Sequence, residues 1–126
     1  MKINILGTEY SIQTKNERED PKLKEADGYC DTSTKEIIIR NLAEEKDDPN
    51  SLADLDEYKR KVIRHEIIHA MFYESGLSGS SGYQNDETLV DWIAIQIPKL
   101  APILKECEKV GVYPTKANSI MNGEAQ

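Results

Sequence analysis

The stretch that decides the fold lies in the middle of the chain and reads Arg64-His65-Glu66-Ile67-Ile68-His69-Ala70. It belongs to a segment, 52–75, that contains neither proline nor glycine and carries apolar residues at helical spacing. We predict a helix here, with Ser51 as its capping residue and Gly76 as its stop. Because residues four apart share one face of a helix, the imidazoles of His65 and His69 point toward the same place.

Two imidazoles in this arrangement can bind one zinc ion, and Glu66 projects from nearly the same side of the helix. Zinc lowers the pKa of a bound water and polarises a carbonyl, while a nearby carboxylate can take the proton. Chance rarely places the only two histidines of a chain four residues apart, with a glutamate directly after the first. The motif therefore predicts a zinc-activated water with Glu66 as the general base.

A third metal ligand is needed, because a catalytic zinc site usually has three protein ligands and one open position. No third histidine is present and both cysteines lie far from the motif in sequence, so we expect a carboxylate. A loop rich in glycine and serine, 77–83, precedes a second predicted helix, for which Asp86 is the expected cap. Glu87 and Asp91 lie one turn apart at the start of that helix, and either carboxylate can be the third ligand.

The two parts together resemble the gluzincin metallopeptidases, whose motif pairs HExxH with ExxxD: His65-Glu66-x-x-His69 and Glu87-x-x-x-Asp91. The resemblance implies that Glu87 is the third zinc ligand and that Asp91 orients the imidazole of His65. The short interval between the helices is similar to that of the compact ImmA/IrrE-type and SprT-like zincins of phages, prophages and bacterial chromosomes. This likeness covers roughly residues 29–98.

The resemblance also bears on the substrate and on the oxyanion. In zincins an extended peptide commonly pairs with an edge strand above the active-site helix, which the resemblance implies for residues 37–39. A buried central strand is equally consistent with this apolar run. The chain has no histidine beyond the motif, so a tyrosine, an arginine or a backbone N–H would have to assist the oxyanion. Tyr73 and Tyr83 are the candidate tyrosines.

The first 40 residues predict a small sheet. Alternating stretches at 2–6 and 10–13, and a second pair near 29–30 and at 36–40, indicate two β-hairpins. The charged segment 16–25 is predicted to be a loop. We therefore expect an α+β fold: a minimal zincin-like domain in which a small antiparallel or mixed sheet packs on the HExxH helix and on a second, Glu-bearing helix.

The second helix is predicted to be buried on more than one side, because apolar residues nearly surround it between 87 and 97. Pro98 indicates either a kink or the first turn of a new helix. We expect a single domain over 1–112 and a flexible C-terminal tail over 113–126.

Composition limits the function further. The 126 residues carry a net charge of -7, and no dense cluster of Lys and Arg offsets it, so nucleic acid is not an expected partner. No signal peptide and no stretch of membrane-spanning length is visible, which predicts a cytoplasmic protein that does not bind membranes. The resemblance to the compact zincins implies that the cell is a bacterium or a phage-infected host. The two cysteines are too sparse for a disulfide framework and are expected to be reduced thiols.

The expected function is a zinc metallopeptidase that acts on a peptide or protein substrate. The alternative is a catalytically silent protein of zincin fold that works as a phage or host regulatory or binding module. Glu66 favours the enzyme, because a purely structural metal site has no use for that carboxylate. A metal-free scaffold protein would leave the spacing of the motif unexplained.

Overall fold

A computed structural model describes residues 1–45, 54–80 and 86–112. By its internal contacts the chain divides into two units, Met1–Ala94 and Ile95–Gln126, and the sheet lies in the first. The elements, apart from two short 3-10 turns, are β1 Lys2–Ile5, β2 Thr8–Lys15, β3 Gly28–Asp31, β4 Glu36–Arg40, α1 Leu55–Glu74, α2 Leu77–Ser80 and α3 Glu87–Lys109. None of the described helices is both long and apolar enough to cross a bilayer.

The four strands form one mixed sheet in the order β1-β2-β4-β3. Strands β1 and β2 pair antiparallel around Leu6 and Gly7, whose φ values of 50° and 97° suit a tight two-residue hairpin turn. Strands β3 and β4 also pair antiparallel, whereas β2 and β4 run parallel. This confirms the α+β class and both hairpins, and it selects the mixed sheet from the two expected kinds.

Strand β4 is the centre of the sheet and of the core. Its three isoleucines, Ile37, Ile38 and Ile39, are at most 2% exposed. Strands β2 and β3 pair with the two edges of β4. The edge-strand role implied by the resemblance for 37–39 is therefore wrong, because neither edge of β4 is free to receive a peptide. A run of isoleucines fits a central strand, which is apolar on both faces.

Helix α1 begins later than expected. Its cap is Asp54, whose side chain accepts a hydrogen bond from the backbone N–H of Glu57 at 3.0 Å. The predicted cap, Ser51, lies outside the described residues. The helix ends at Glu74, and Gly76 follows with a φ of 84°, the left-handed conformation that commonly ends helices.

The structure of the second half of the chain differs from three expectations. The predicted loop 77–83 begins with the short helix α2, and its last residues lie outside the described ranges. Of the two possibilities at Pro98, the first turn of a new helix is wrong, because α3 continues through this residue. Burial on several sides is also wrong: in α3 only Val90 and Ala94, one turn apart, are buried, and Trp92 is 60% exposed.

A carboxylate at the end of α1 ties this helix to the sheet. The Glu74 side chain accepts hydrogen bonds from Thr8 Oγ1 at 2.9 Å, from the Tyr10 hydroxyl at 2.7 Å and from Lys35 Nζ at 2.8 Å. These bonds, that of Lys35 foremost, lower the pKa of Glu74 to about 2. Glu74 therefore holds the C-terminal end of α1 against β2 and the β3–β4 turn.

The contribution of Glu74 to stability depends on pH in a definite direction. Because the folded pKa of Glu74 lies below its ordinary 4.5, the ionised carboxylate stabilises the fold above that pH, and this stabilisation is lost as the pH falls toward 2. We expect Glu74→Gln to be less stable than the wild type at neutral pH. The difference in melting temperature should shrink between pH 4.5 and about 2. A difference that is independent of pH would contradict this role.

Gly28 lets strand β3 lie close to helix α1. A Cβ at this position would lie 2.9 Å from Val62 Cγ1, 3.0 Å from Ile39 Cδ1 and 3.1 Å from the backbone oxygen of Ile38. The oxygen belongs to the sheet and cannot turn away, so only glycine fits this contact without displacing the strand.

Gly28→Ala is accordingly expected to lower the free energy of unfolding by about 1–3 kcal/mol, measured by urea denaturation. Gly79→Ala is the matched control, because a Cβ there meets nothing within 4 Å. Equal stability of the two variants would show that β3 and α1 are not in close contact.

Candidate metal centre

Helix α1 brings three of the predicted site residues together. His65, Glu66 and His69 each offer a ligand atom, and these atoms lie within 4.8 Å of one another. The two imidazole Nε2 atoms are 3.1 Å apart, and the rings meet edge to face with centroids 4.9 Å apart. The spacing of four along one helix is sufficient to produce this convergence.

Helix α3 supplies Glu87 to the same point. Its Oε2 lies 2.7 Å from Nε2 of His65, and its Oε1 lies 3.0 Å from Nε2 of His69. The Glu87 side chain is 64% exposed, whereas those of His65 and His69 are 15% and 19% exposed. The group formed by His65, His69 and Glu87 is thus shielded from solvent on the side of α1 and exposed to solvent on the side of Glu87.

Asp91, one turn further along α3, contacts the opposite nitrogen of the first imidazole. Its Oδ1 lies 2.8 Å from Nδ1 of His65. When the ring hydrogen is on Nδ1, that atom donates to Asp91, and the Nε2 lone pair is directed at Glu87 and His69. Of the two carboxylates that the sequence leaves open as third ligand, only Glu87 has contacts to both Nε2 atoms.

These donor atoms fit a zinc ion in kind and in spacing. Zinc–nitrogen bonds of about 2.0–2.1 Å in a tetrahedron put neighbouring ligand atoms about 3.3 Å apart. The observed separations of 3.1, 2.7 and 3.0 Å are all somewhat shorter than that edge, so the three side chains would have to move slightly apart to admit the ion. An unprotonated imidazole Nε2 and a carboxylate oxygen are both acceptors, so a shared cation or proton satisfies them together. Metal binding itself stays a prediction.

Glu66 is a buried acid, 7% exposed, on the helix that carries both histidines. The pKa of Glu66 is raised to about 7, mainly by burial; His65 acts in the opposite direction, and the negative charges of Glu87 and Asp91 act in the same direction as burial. A carboxyl group with this pKa can take up or release a proton at neutral pH.

The cluster opens into a cleft of about 680 Å³. One wall is strand β3, from Gly28 to Cys30, and the other is the face of α1 that carries the motif. Strand β3 is the last strand of the sheet, and within the described ranges only β4 pairs with it. The cleft is large enough for a short peptide segment and has a strand edge along one side.

Two further residues with reactive groups line the cleft. Tyr73, a predicted oxyanion candidate, lies beside it, with Lys35 Nζ 4.7 Å from its ring centroid. Tyr83, the other candidate, lies outside the described residues. Cys30 is a free cysteine, and burial, followed by the charge of Glu66, raises the pKa of its thiol to about 12. Cys30 is therefore a protonated thiol at neutral pH and a poor metal ligand.

Arg64 connects the two helices that carry the cluster. Its Nε donates to the backbone oxygen of Ala94 at 2.8 Å. In a regular helix that oxygen accepts from the N–H four residues later, but Pro98 has none. The side chain of Arg64 replaces the missing donor. The same hydrogen bond ties α3 to α1 directly beside His65.

Sequence reasoning missed this connection and one other. The sequence shows that Arg64 is next to His65 and that Pro98 leaves the carbonyl of Ala94 without its helical donor. It does not show that these two residues meet. The other is Asp27, just before β3, whose carboxylate accepts hydrogen bonds from the Tyr58 hydroxyl and from the Arg40 guanidinium. Burial raises the pKa of Asp27, but these two partners outweigh it and hold the pKa below its ordinary value.

Comparison of the chain with protein-family models, with curated proteins and with solved structures gives no match. The site is therefore interpreted from its own geometry.

The contact between Arg64 and Ala94 can be tested by a double-mutant cycle. Arg64→Met leaves a carbonyl oxygen without its donor and should cost about 1–2 kcal/mol of unfolding free energy. In a chain that also carries Pro98→Ala, position 98 regains an N–H for that oxygen, so the same change should cost about 1 kcal/mol less. Urea unfolding of the four proteins measures this coupling.

Arg60→Met is the matched control for the cycle. Arg60 also pairs with Glu57, as Arg64 does, and no contact of Arg60 with α3 is present among the described residues. We expect no coupling between Arg60→Met and Pro98→Ala. If Arg64→Met lowers the unfolding free energy equally in the wild type and in Pro98→Ala, then Arg64 does not replace the missing helix donor.

Proposed function

We propose that the protein is a zinc-dependent metallopeptidase. The observation that carries this proposal is the convergence of two Nε2 atoms and the Glu87 carboxylate, beside a buried acid, at the open side of a cleft. Three protein ligands with an open fourth position are the usual pattern of a catalytic zinc ion, whereas structural sites are closed by four.

Zinc held by His65, His69 and Glu87 would supply a Lewis acid that acidifies water and polarises a substrate carbonyl. Asp91 would support this arrangement from behind. By accepting the Nδ1 hydrogen of His65, it fixes the orientation of the ring and makes Nε2 the electron donor.

Glu66 is the proposed general base. The pKa of about 7 means that a carboxylate oxygen of Glu66 can take a proton from water and later return it to the leaving amine. A divalent cation nearby would favour the ionised form of Glu66, which is the form a base needs. Because the side chain is buried, its oxygens are held in place against α1 and do not swing in solvent.

The proposed substrate is a peptide in extended conformation. Within the described ranges, the outer edge of β3 pairs with no strand and lies along the cleft, so a peptide lying there can extend the sheet by one strand. This gives β3 the role that the resemblance implied for 37–39. Pairing through the backbone requires no particular side chains, which suits a peptidase that accepts several sequences.

Metal analysis and a cleavage screen test the proposal separately. The wild type is expected to carry about one zinc per chain, and His65→Ala, His69→Ala and Glu87→Ala should lose it. Glu66→Gln should keep the metal but cleave a random decapeptide library at least about 100-fold more slowly, measured by mass spectrometry of the products.

Asp56→Asn is the control for Glu66→Gln, since Asp56 is an exposed acid on the same helix, outside the cleft. It should bind zinc and cleave peptides as the wild type does. A wild type that binds no zinc would remove the metal site. If zinc is bound but Glu66→Gln is as active as the wild type, or neither cleaves, the protein is the silent binding module instead.

A further inference from the structure

The cleft is lined by more acidic than basic side chains, and most of these acids already have partners or are buried. Among the described residues that form it, four are acids, namely Asp27, Glu66, Glu87 and Asp91, and Lys61 is the one lysine or arginine. Glu87 and Asp91 face the imidazoles, and Glu66 is the buried acid. To pair with Lys61, Glu87 or Asp91 would have to leave its contact with an imidazole, and Glu66 would have to leave its buried position.

The remaining acid, Asp27, is also occupied. Its carboxylate accepts hydrogen bonds from the hydroxyl of Tyr58 and from the guanidinium of Arg40, whose positive charge balances it. Asp27 therefore neither neutralises Lys61 nor repels an anion that approaches this end of the cleft. No hydrogen bond or ion pair joins Lys61 to any other part of the chain that the structure describes.

Lys61 has a fixed place relative to the cluster. It lies one helical turn before His65, about 6 Å along the axis of α1. Long side chains on a helix lean toward its N-terminus, so the ammonium group reaches beyond this point, toward the end of the cleft where Asp27 and Tyr58 lie. A peptide in a strand advances about 3.3 Å per residue, so the ammonium group lies at least two residues from a carbonyl at the imidazoles.

We propose that Lys61 is a specificity-determining residue that selects peptides with a carboxylate about two or three residues from the scissile bond. The inference rests on the proposed peptide-binding cleft. The carboxylate can belong to an Asp or Glu side chain or to the C-terminus of the peptide, and both offer the same acceptor to the ammonium group. Among the described residues, no acid pairs with Lys61 in this cleft, so the carboxylate of an incoming peptide can pair with its ammonium group.

The test uses peptides in matched pairs. One Glu is moved along an otherwise uncharged decapeptide with blocked ends, and each peptide is compared with its Gln counterpart. Binding is measured by fluorescence anisotropy on Glu66→Gln protein, which should bind peptides without cutting them. At one position the Glu peptide should bind about fivefold more tightly, and about 1 M salt should remove most of this preference.

Lys61→Met should abolish the preference, and Lys61→Glu should reverse it. Lys59→Met, on the same helix but outside the cleft, is the matched control and should leave it unchanged. A further peptide with a free C-terminus, compared with its amide, identifies which source of carboxylate is preferred. No Glu preference at any position and no terminal-carboxylate preference, or a preference that survives Lys61→Met, would overturn the proposal.

The outcome is separable from that of the peptidase proposal. If Lys61-dependent carboxylate preference is found without cleavage by the wild type, the specificity residue stands and the catalytic function fails. If the wild type cleaves peptides but binds the Glu and Gln forms equally in every pair, the peptidase stands and the role of Lys61 is refuted.

Discussion

Helix α1 must bury an apolar face against the sheet and hold an acid and two imidazoles at the edge of a cleft, and the rest of the structure depends on that double requirement. Val62 and Ala70 belong to the core, while Glu66 lies buried between them in the sequence. Burying a carboxyl group costs free energy unless it is neutralised, which is why the pKa of Glu66 is high. The apolar packing that stabilises the domain thus also produces the proton affinity that a base at neutral pH needs.

The motif itself could be predicted because its information is local. A helix without proline or glycine puts residues four apart on one face, and His65 and His69 converge without help from the rest of the fold. The choice between Glu87 and Asp91 was different, since both lie on the same face of α3 and only the packing of two helices decides which nitrogen each one meets. The sequence could name the pair, and the geometry distinguishes their contacts.

The errors of sequence interpretation have a common physical cause. The first turn of a new helix was one of two possibilities at Pro98, but α3 continues, and a donor from another helix takes the place of the N–H that Pro98 lacks. The role of Glu74 is likewise not visible in the sequence, because its three partners come from the sheet and its turns. Ile37 to Ile39 suit a strand with one or two neighbours equally well. In each case a distant partner decides, and no local rule contains it.

The parallel pairing of β2 with β4 has a consequence for how the chain folds. Each hairpin closes over a few residues and can form by itself, but Ser11 meets Glu36 only after a long intervening loop has been closed. This seam between the hairpins is non-local, as are the contacts of Glu74 with Thr8 and Tyr10, so joining these parts of the chain is the expected slow step. The cleft lies on β3, beyond that seam, and is complete only once α1 has docked. A metal ion bound there would report on late folding and would add its binding free energy to the native state alone.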